Sequence, residues 1–271
     1  MPELPEVETI RQYLETEMVG LSVTAVSHLD GRMIKLGDDD ADGLSRKLLH
    51  RQLIAVERRG KYLLFGWRPR GYLIIHLGMT GRLTVHARLD SRRAHTHMVL
   101  DFGERQLRLS DPRRFGRIGW LQRRTWLDHR LGLEPLSQRF TGHTLWQCLQ
   151  GRSQAIKSLL LNQSVIAGLG NIYADEALYL SRLHPLRRAG DLDLATAARL
   201  ARSVRKVLRQ SLDHRGTSFS DYVDALGQEG GNQDHLFVYG RQGQPCLRCQ
   251  TAIVTVVLQG RTSHFCPTCQ T

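Results

Sequence analysis

The pattern of apolar positions along this chain changes after Trp120. Val7, Ile10, Leu14 and Met18 recur at three- and four-residue steps, so the chain opens on an amphipathic helix with Gly20 as its stop. Most of the next hundred residues read as strands. Segments 21–29, 32–36, 53–58, 61–67, 72–76, 82–86, 97–102 and 106–109 are short, β-branched or aromatic in part, and separated by Gly or Asp. Such spacing predicts an antiparallel sandwich or barrel, interrupted by a helix over 41–50. Beyond Trp120 helical spacing takes over at 141–150, 154–162, 171–181 and 192–213, with a further short helix predicted over 219–226. Residues 123–138 are polar and read as a connector, while the Gly- and Gln-rich 227–235 reads as a mobile loop. The expectation is a multidomain α+β chain: a β-sandwich domain over 1–122, a linker over 123–138, a helical domain over 139–235 and a cysteine-bearing tail over 236–271.

Charge narrows the partners. The 271 residues carry 38 basic against 26 acidic side chains, a formal net charge of +12. Such an excess favours a polyanionic partner, nucleic acid before membrane. Lysine occurs only at 35, 47, 61, 157 and 206, so the cations that can lose a proton are few. No apolar run approaches the 18 residues of a membrane span, and no leader peptide is evident. The five cysteines suit a reducing cytoplasm better than a disulfide scaffold.

Four of those cysteines form two knuckles, Cys246-x2-Cys249 and Cys266-x2-Cys269, separated by sixteen residues. Four thiolates so spaced suit one tetrahedral zinc, with a redox pair or two disulfides as the alternative. An all-sulfur site leaves no open position, so the zinc is structural. Strands over 253–258 and 261–265, joined by Gln259-Gly260, predict a β-hairpin between the knuckles. Arg261 stands at its tip, where it is either a nucleic-acid contact or an ordinary exposed arginine.

Two other stretches carry candidate chemistry. Removal of Met1 would turn the Pro2 nitrogen from an amide into a secondary amine, with Glu3 and Glu6 beside it as proton carriers. The plain alternative is that Pro and Glu simply open a helix. From Lys157 to Ala177 a helix ends, glycines at 168 and 170 allow tight turns, and Asn171 starts a second helix as a plausible N-cap. Backbone N–H groups at such a start can hold a phosphate, though a helix pair that only packs on a core has the same outline.

Together these residues resemble the bacterial formamidopyrimidine-DNA glycosylase family. The match rests on Pro2-Glu3-Leu4-Pro5-Glu6-Val7-Glu8-Thr9, Arg59-Gly60-Lys61-Tyr62-Leu63-Leu64, the segment from Lys157 to Ala177, and the four-cysteine tail. His76-Leu77-Gly78-Met79-Thr80-Gly81 and Asp111-Pro112-Arg113-Arg114-Phe115-Gly116 fit as well. The resemblance implies an N-terminal β-sandwich facing a helix–two-turn–helix domain with a zinc finger, acting as a monomer on duplex DNA that contains oxidised bases or abasic sites. It implies a glycosylase and lyase of base excision repair that flips the damaged nucleotide, attacks C1′ with Pro2, and cuts the strand by β,δ-elimination. Glu3 and Lys61 match catalytic residues and Glu6 a supporting carboxylate. His76, Lys157, Asn171, Tyr239 and Arg261 match DNA-binding residues, and Met79, Arg113 and Phe115 match those that fill the hole left by the flipped base. Leu4 and the run from Asn171 to Ala177 resemble the purine-excising branch. An endonuclease VIII-type enzyme for oxidised pyrimidines and a non-catalytic zinc-finger DNA-binding protein are the alternatives.

Overall fold

The computed structural model describes residues 1–219 and 221–271. The chain divides into two compact units, one of Met1–His129 with His214–Gln233, the other of Arg130–Asp213 with Asp234–Thr271.

The first unit begins with α1 (Leu4–Met18), whose Val7, Ile10, Leu14 and Met18 are all buried as their spacing predicts. Then come β1 (Ala25–Leu29), β2 (Ile34–Leu36), α2 (Ala41–Leu48), β3 (Leu53–Arg59), β4 (Tyr62–Trp67), β5 (Tyr72–His76), β6 (Arg82–Ala87), β7 (Thr96–Phe102), β8 (Arg105–Ser110), β9 (Arg117–Leu121) and the short α3 (Thr125–Asp128). The strands form two sheets, ordered β1-β7-β8-β6 and β2-β9-β5-β4-β3. Their inner faces share one core with α1: Ile10 and Leu14 join Leu63, Phe65, Leu73, Ile75, Leu100 and Leu107. Fully burying one such side chain is worth about 1.5–3 kcal/mol, so this core, more than helix propensity, holds α1 in place.

β9 was not expected from the sequence. It pairs in parallel with β2, while the other strand pairs are antiparallel. A Cβ at Gly119 would collide with the Leu36 carbonyl, so this strand must leave a gap in its alternation. The helix predicted over 219–226 is also absent: Asp221–Leu226 is irregular and turn-like, and Ser220 lies outside the described residues. Nor is the predicted mobile loop untethered. Gly231 N–H donates to the His214 carbonyl at 2.8 Å, Asn232 N–H to Gly216 at 3.0 Å, and Ala225 accepts from Val85 N–H of β6 at 2.9 Å. These bonds draw 214–233 into the first unit, although by sequence it groups with the helices.

The second unit holds α4 (Gly142–Leu149), α5 (Ile156–Leu161), α6 (Asn171–Leu180), α7 (Leu194–Asp213) and a hairpin of β10 (Val254–Leu258) and β11 (Arg261–Phe265). Thr141 caps α4, accepting from Thr144 N–H at 3.1 Å. The α6 N-cap is Gly170, so Asn171 is the first helical residue instead of the cap. Between β10 and β11, Gln259 and Gly260 take φ of +49° and +72°, the left-handed pair of a two-residue hairpin turn. α7 packs on α4 and α6, and β11 packs on α6. No described helix is long and apolar enough to cross a membrane.

Candidate functional site

In the first unit the candidate chemistry gathers at the α1 N-terminus. Pro2 is buried, and Glu3 and Glu6 are each only 2% exposed. Glu3 is the N-cap, and its N–H donates to Glu6 Oε2 at 2.8 Å. The other Glu6 oxygen accepts the N–H of Thr217 at 2.8 Å, from 211 residues along the chain. Asn232 Nδ2 donates to the Thr217 hydroxyl at 2.8 Å, and Tyr222 hydroxyl donates to the Arg215 carbonyl at 3.1 Å. Burial, followed by the Glu6 carboxylate, pushes the Tyr222 phenol upward, so it stays a neutral donor. Glu6 is therefore the fastener that joins the helix start to segment 214–217.

Lys61 sits in the β3–β4 turn behind Gly60 (φ +57°) and is 6% exposed. Arg58 ties that turn to α1: its Nε donates to Glu8 at 2.7 Å and its Nη1 to the Gly60 carbonyl at 3.0 Å. His76, at the end of β5, stands opposite Tyr62, their rings 4.7 Å apart. Burial, helped by the Lys61 and Arg117 charges, holds His76 down at about 4. Its Nδ1 accepts the N–H of Gly78 at 3.1 Å, which requires that nitrogen to be unprotonated. His76 is thus a neutral group at physiological pH.

Met79 (42% exposed) and Phe115 (45%) stand out of the core, and Arg113 is exposed with its guanidinium 4.5 Å from the Phe115 ring centre. Exposed apolar side chains beside an arginine suit a wedge that enters a base stack and addresses the orphaned partner base. Their two loops are locked by Asp111, which is wholly buried. It accepts from Thr80 hydroxyl, from Arg113 N–H at 3.2 Å and from Gly116 N–H at 2.7 Å. His97 bridges Asp30 and the Asp111 carbonyl at 3.1 and 2.9 Å. A Cβ at Gly78 (φ +64°) would come within 2.5 Å of the Phe115 backbone, so the loops touch where only glycine fits.

The second unit gathers Lys157, Asn171, Tyr239 and Arg261 around β11. Lys157 is fully buried instead of facing solvent: its Nζ pairs with Asp175 at 2.6 Å and donates to Ser263 hydroxyl at 2.8 Å and the Thr262 carbonyl at 3.2 Å. Asp175 Oδ2 accepts His264 N–H at 2.8 Å. Asn171 Nδ2 donates to the same Thr262 carbonyl at 3.0 Å, and among the described residues its buried Oδ1 has no hydrogen-bond partner. Glu176 gathers the N–H groups of Phe237, Val238 and Tyr239 at 2.8–2.9 Å; burial pushes its carboxyl up to about 7 against the pull of those donors. Arg261 is exposed beside a polar pocket of about 330 Å³ lined also by Gln154, Ser158, Asn162 and Gln259, a setting fit for a phosphate.

The sulfurs of Cys246, Cys249, Cys266 and Cys269 all lie within 4.8 Å of one another. Zn–S bonds of about 2.3 Å in a tetrahedron separate sulfurs by about 3.8 Å. The Cys246–Cys269 and Cys249–Cys266 distances are 3.9 and 3.4 Å, and Arg248 and Cys269 N–H point at sulfur. The cluster fits one structural zinc, whose knuckles fix both ends of the β10–β11 hairpin.

The residues missed by sequence reasoning are these fasteners: Glu8, Arg58, Thr80, Asp111, Asp175, Glu176, Thr217 and Tyr222. What marks them is polar contact with distant segments, most of it buried, which is invisible before folding.

A sandwich with a buried Pro-Glu helix start, together with a helix pair bearing a four-cysteine hairpin, defines a nucleic-acid enzyme class, and comparison with known proteins gives the family. Residues 1–118 match the formamidopyrimidine-DNA glycosylase N-terminal domain, 131–223 its H2TH domain, and 243–271 the zinc finger found in FPG and IleRS. The formamidopyrimidine-DNA glycosylase of Herpetosiphon aurantiacus is 46% identical over the full length of both chains. Lactococcus lactis Fpg, solved with abasic-site DNA and with DNA containing N7-benzyl-Fapy-dG, is 34% identical with a TM-score of 0.92 over 99% of each chain. The chain belongs to the formamidopyrimidine-DNA glycosylase family.

Proposed function

We propose that this chain excises oxidised purines, 8-oxoguanine and formamidopyrimidines, from duplex DNA and then cuts the strand at the abasic sugar, acting in the cytoplasm in base excision repair. The observation that carries the proposal is the placement of Pro2, buried one residue before Glu3, the N-cap of a helix whose first turn holds Glu6, both carboxylates being nearly water-free. Removal of Met1 gives Pro2 a free α-amine, a type of group that with an ordinary pKa near 7.7–8 is roughly 10–20% neutral at pH 7. The neutral amine attacks C1′, and the glycosidic electron pair leaves with the base, which takes up a proton. The proline nitrogen then gives up its proton and the C1′–O4′ bond breaks, O4′ taking up the proton as the sugar ring opens, and the iminium so formed acidifies C2′. Loss of the C2′ proton expels the 3′ phosphate, and a second elimination expels the 5′ phosphate.

Glu3 carries protons at the sugar, and Lys61, fixed by the Arg58–Glu8 tether, serves the lesion and its phosphates. Met79, Arg113 and Phe115 fill the vacated stack. Asn171, Tyr239 and Arg261 hold the backbone through a hairpin that Lys157 anchors from beneath. The Lactococcus lactis relative binds DNA containing an abasic site or N7-benzyl-Fapy-dG, which supports the purine assignment.

The test is borohydride reduction in the presence of an 8-oxoguanine duplex. The expected product is a covalent protein–DNA adduct mapping to Pro2, formed by Met1-free protein and absent when Met1 or an N-terminal tag is retained. Faster release of an oxidised pyrimidine than of 8-oxoguanine would move the chain to the endonuclease VIII-type reading, and no adduct from Met1-free protein would overturn the amine mechanism.

A further inference from the structure

The second unit has a strongly charged surface that the lesion-binding residues do not use. Along α7 the buried positions Ala197, Leu200, Ala201, Val204, Val207, Leu208 and Ser211 face the core. At 100° per residue, Arg202, Lys206 and Arg209 fall on the opposite side of the helix, within one narrow stripe. All three are exposed, and no described residue gives any of them a hydrogen bond or ion pair. Their neighbour Arg205 is committed inward, donating to the carbonyls of Pro135 and Ser137 at 3.2 and 2.6 Å. α7 carries no acid before Asp213, which with Gln210 closes the far end of an open groove of about 510 Å³ along the stripe. Seven residues at 1.5 Å each set the outer cations about 10 Å apart, about three times the 3.4 Å axial rise per phosphate of one strand.

The stripe also points away from the phosphate-binding hairpin. Asn171 and Asp175, four residues apart, put one face of α6 against β11. Tyr173, about 200° around the helix from Asn171, bonds Ser211 of α7 at 2.5 Å. The hairpin and α7 therefore flank opposite faces of α6, and the cations lie on the side of α7 turned outward from it. An exposed helix could leave such charges merely solvated. Here three adjacent arginine and lysine side chains repel one another with no carboxylate interleaved, an arrangement that a polyanion relieves.

We propose that Arg202, Lys206 and Arg209 form a second DNA-binding surface, which takes the phosphate backbone of another duplex segment without reading its sequence while the lesion site is occupied. It rests on duplex DNA being the substrate and is independent of the Pro2 chemistry. Three phosphate contacts correspond to a log–log salt slope near 2.7, so second-segment affinity should fall about 40-fold between 50 and 200 mM salt.

The experiment saturates the full-length enzyme with one dye-labelled duplex carrying a stable abasic analogue, then titrates a second, differently labelled undamaged duplex. Occupancy of the first duplex is measured separately, so failure to bind lesion DNA at all is distinguished from failure of this proposal. The wild type should take up the second duplex with the stated salt dependence. Arg202→Gln/Lys206→Gln/Arg209→Gln should weaken it at least tenfold at 50 mM salt, while lesion affinity and single-turnover excision stay within twofold. The control Arg70→Gln/Arg88→Gln/Arg92→Gln removes the same charge from exposed positions of the first unit and should retain the second duplex. No second duplex on the wild type, or equal losses in stripe and control variants, would overturn the proposal. Binding of poly-glutamate with no uptake of DNA would replace it with an acidic-protein surface.

Discussion

Replacing Lys157 by Met removes the ammonium but keeps a long apolar stem in a fully buried position. In the native protein Nζ lies 2.6 Å from Asp175, whose side chain is 0% exposed, and also bonds Ser263 and the Thr262 carbonyl. The variant leaves the Asp175 charge with only the His264 contacts. Removing one partner of a buried ion pair costs about 3–5 kcal/mol, whereas an exposed pair costs about 0–1 kcal/mol. The expected result is a lower urea midpoint for the second unit, faster zinc release to a chromophoric chelator, and weaker DNA binding, because β11 loses the anchor beneath Arg261. Adding Asp175→Leu should recover most of the stability, since an apolar pair of similar volume is neutral or better. The measurements are circular dichroism through a urea series, zinc content and DNA affinity on one preparation. A stability loss under about 1 kcal/mol with unchanged zinc release would refute the anchor. A drop in DNA affinity alone would return Lys157 to direct DNA contact.

Three further outcomes follow from the same geometry. Asp111→Asn places an NH2 group where one carboxylate oxygen accepts, from Thr80 and Arg113 or from Gly116, so it should cost about 2–3 kcal/mol and weaken binding of a lesion duplex; unchanged stability and lesion affinity would count against the lock on these loops. His76 is held near 4 against a usual 6.5, so its contribution is present above about pH 6.5 and lost as pH falls through 4, up to about 3 kcal/mol. His76→Gln should lack that acid sensitivity, and parallel stability–pH curves for the two proteins would show the burial argument wrong. Cys249→Ala should abolish zinc binding and collapse DNA affinity while the sandwich stays folded, read by metal content and circular dichroism; full affinity in zinc-free protein would exclude the finger from the interface.

What the sequence disclosed was local. The period of Val7, Ile10, Leu14 and Met18, the strand alternation, and the two cysteine knuckles each depend on neighbours a few residues apart. β9 escaped because Gly119 is dictated by a strand eighty residues earlier, not by its own pattern. The fasteners escaped for the same reason: Glu6 meets Thr217 across 211 residues, and Lys157 meets Ser263 across 106. Asn171 was found as a helix start but misplaced by one position, because its amide serves β11 and not its own helix. Sequence motifs named the candidate groups, while the side chains that hold those segments still could be seen only after the fold brought distant parts of the chain together.

The segment 214–233 has one consequence for how the protein comes into being. It belongs to the first unit yet follows nearly all the helices of the second in the chain. A nascent chain that has exposed its first 129 residues can pair all nine strands of the sandwich, but Glu6 still lacks Thr217, and β6 still lacks Ala225. The sandwich is left with an open flank until residue 233 has emerged from the ribosome. Synthesis therefore builds the helices of the second unit before Thr217 can reach Glu6, so the start of α1 is fastened only in a chain that already carries those helices.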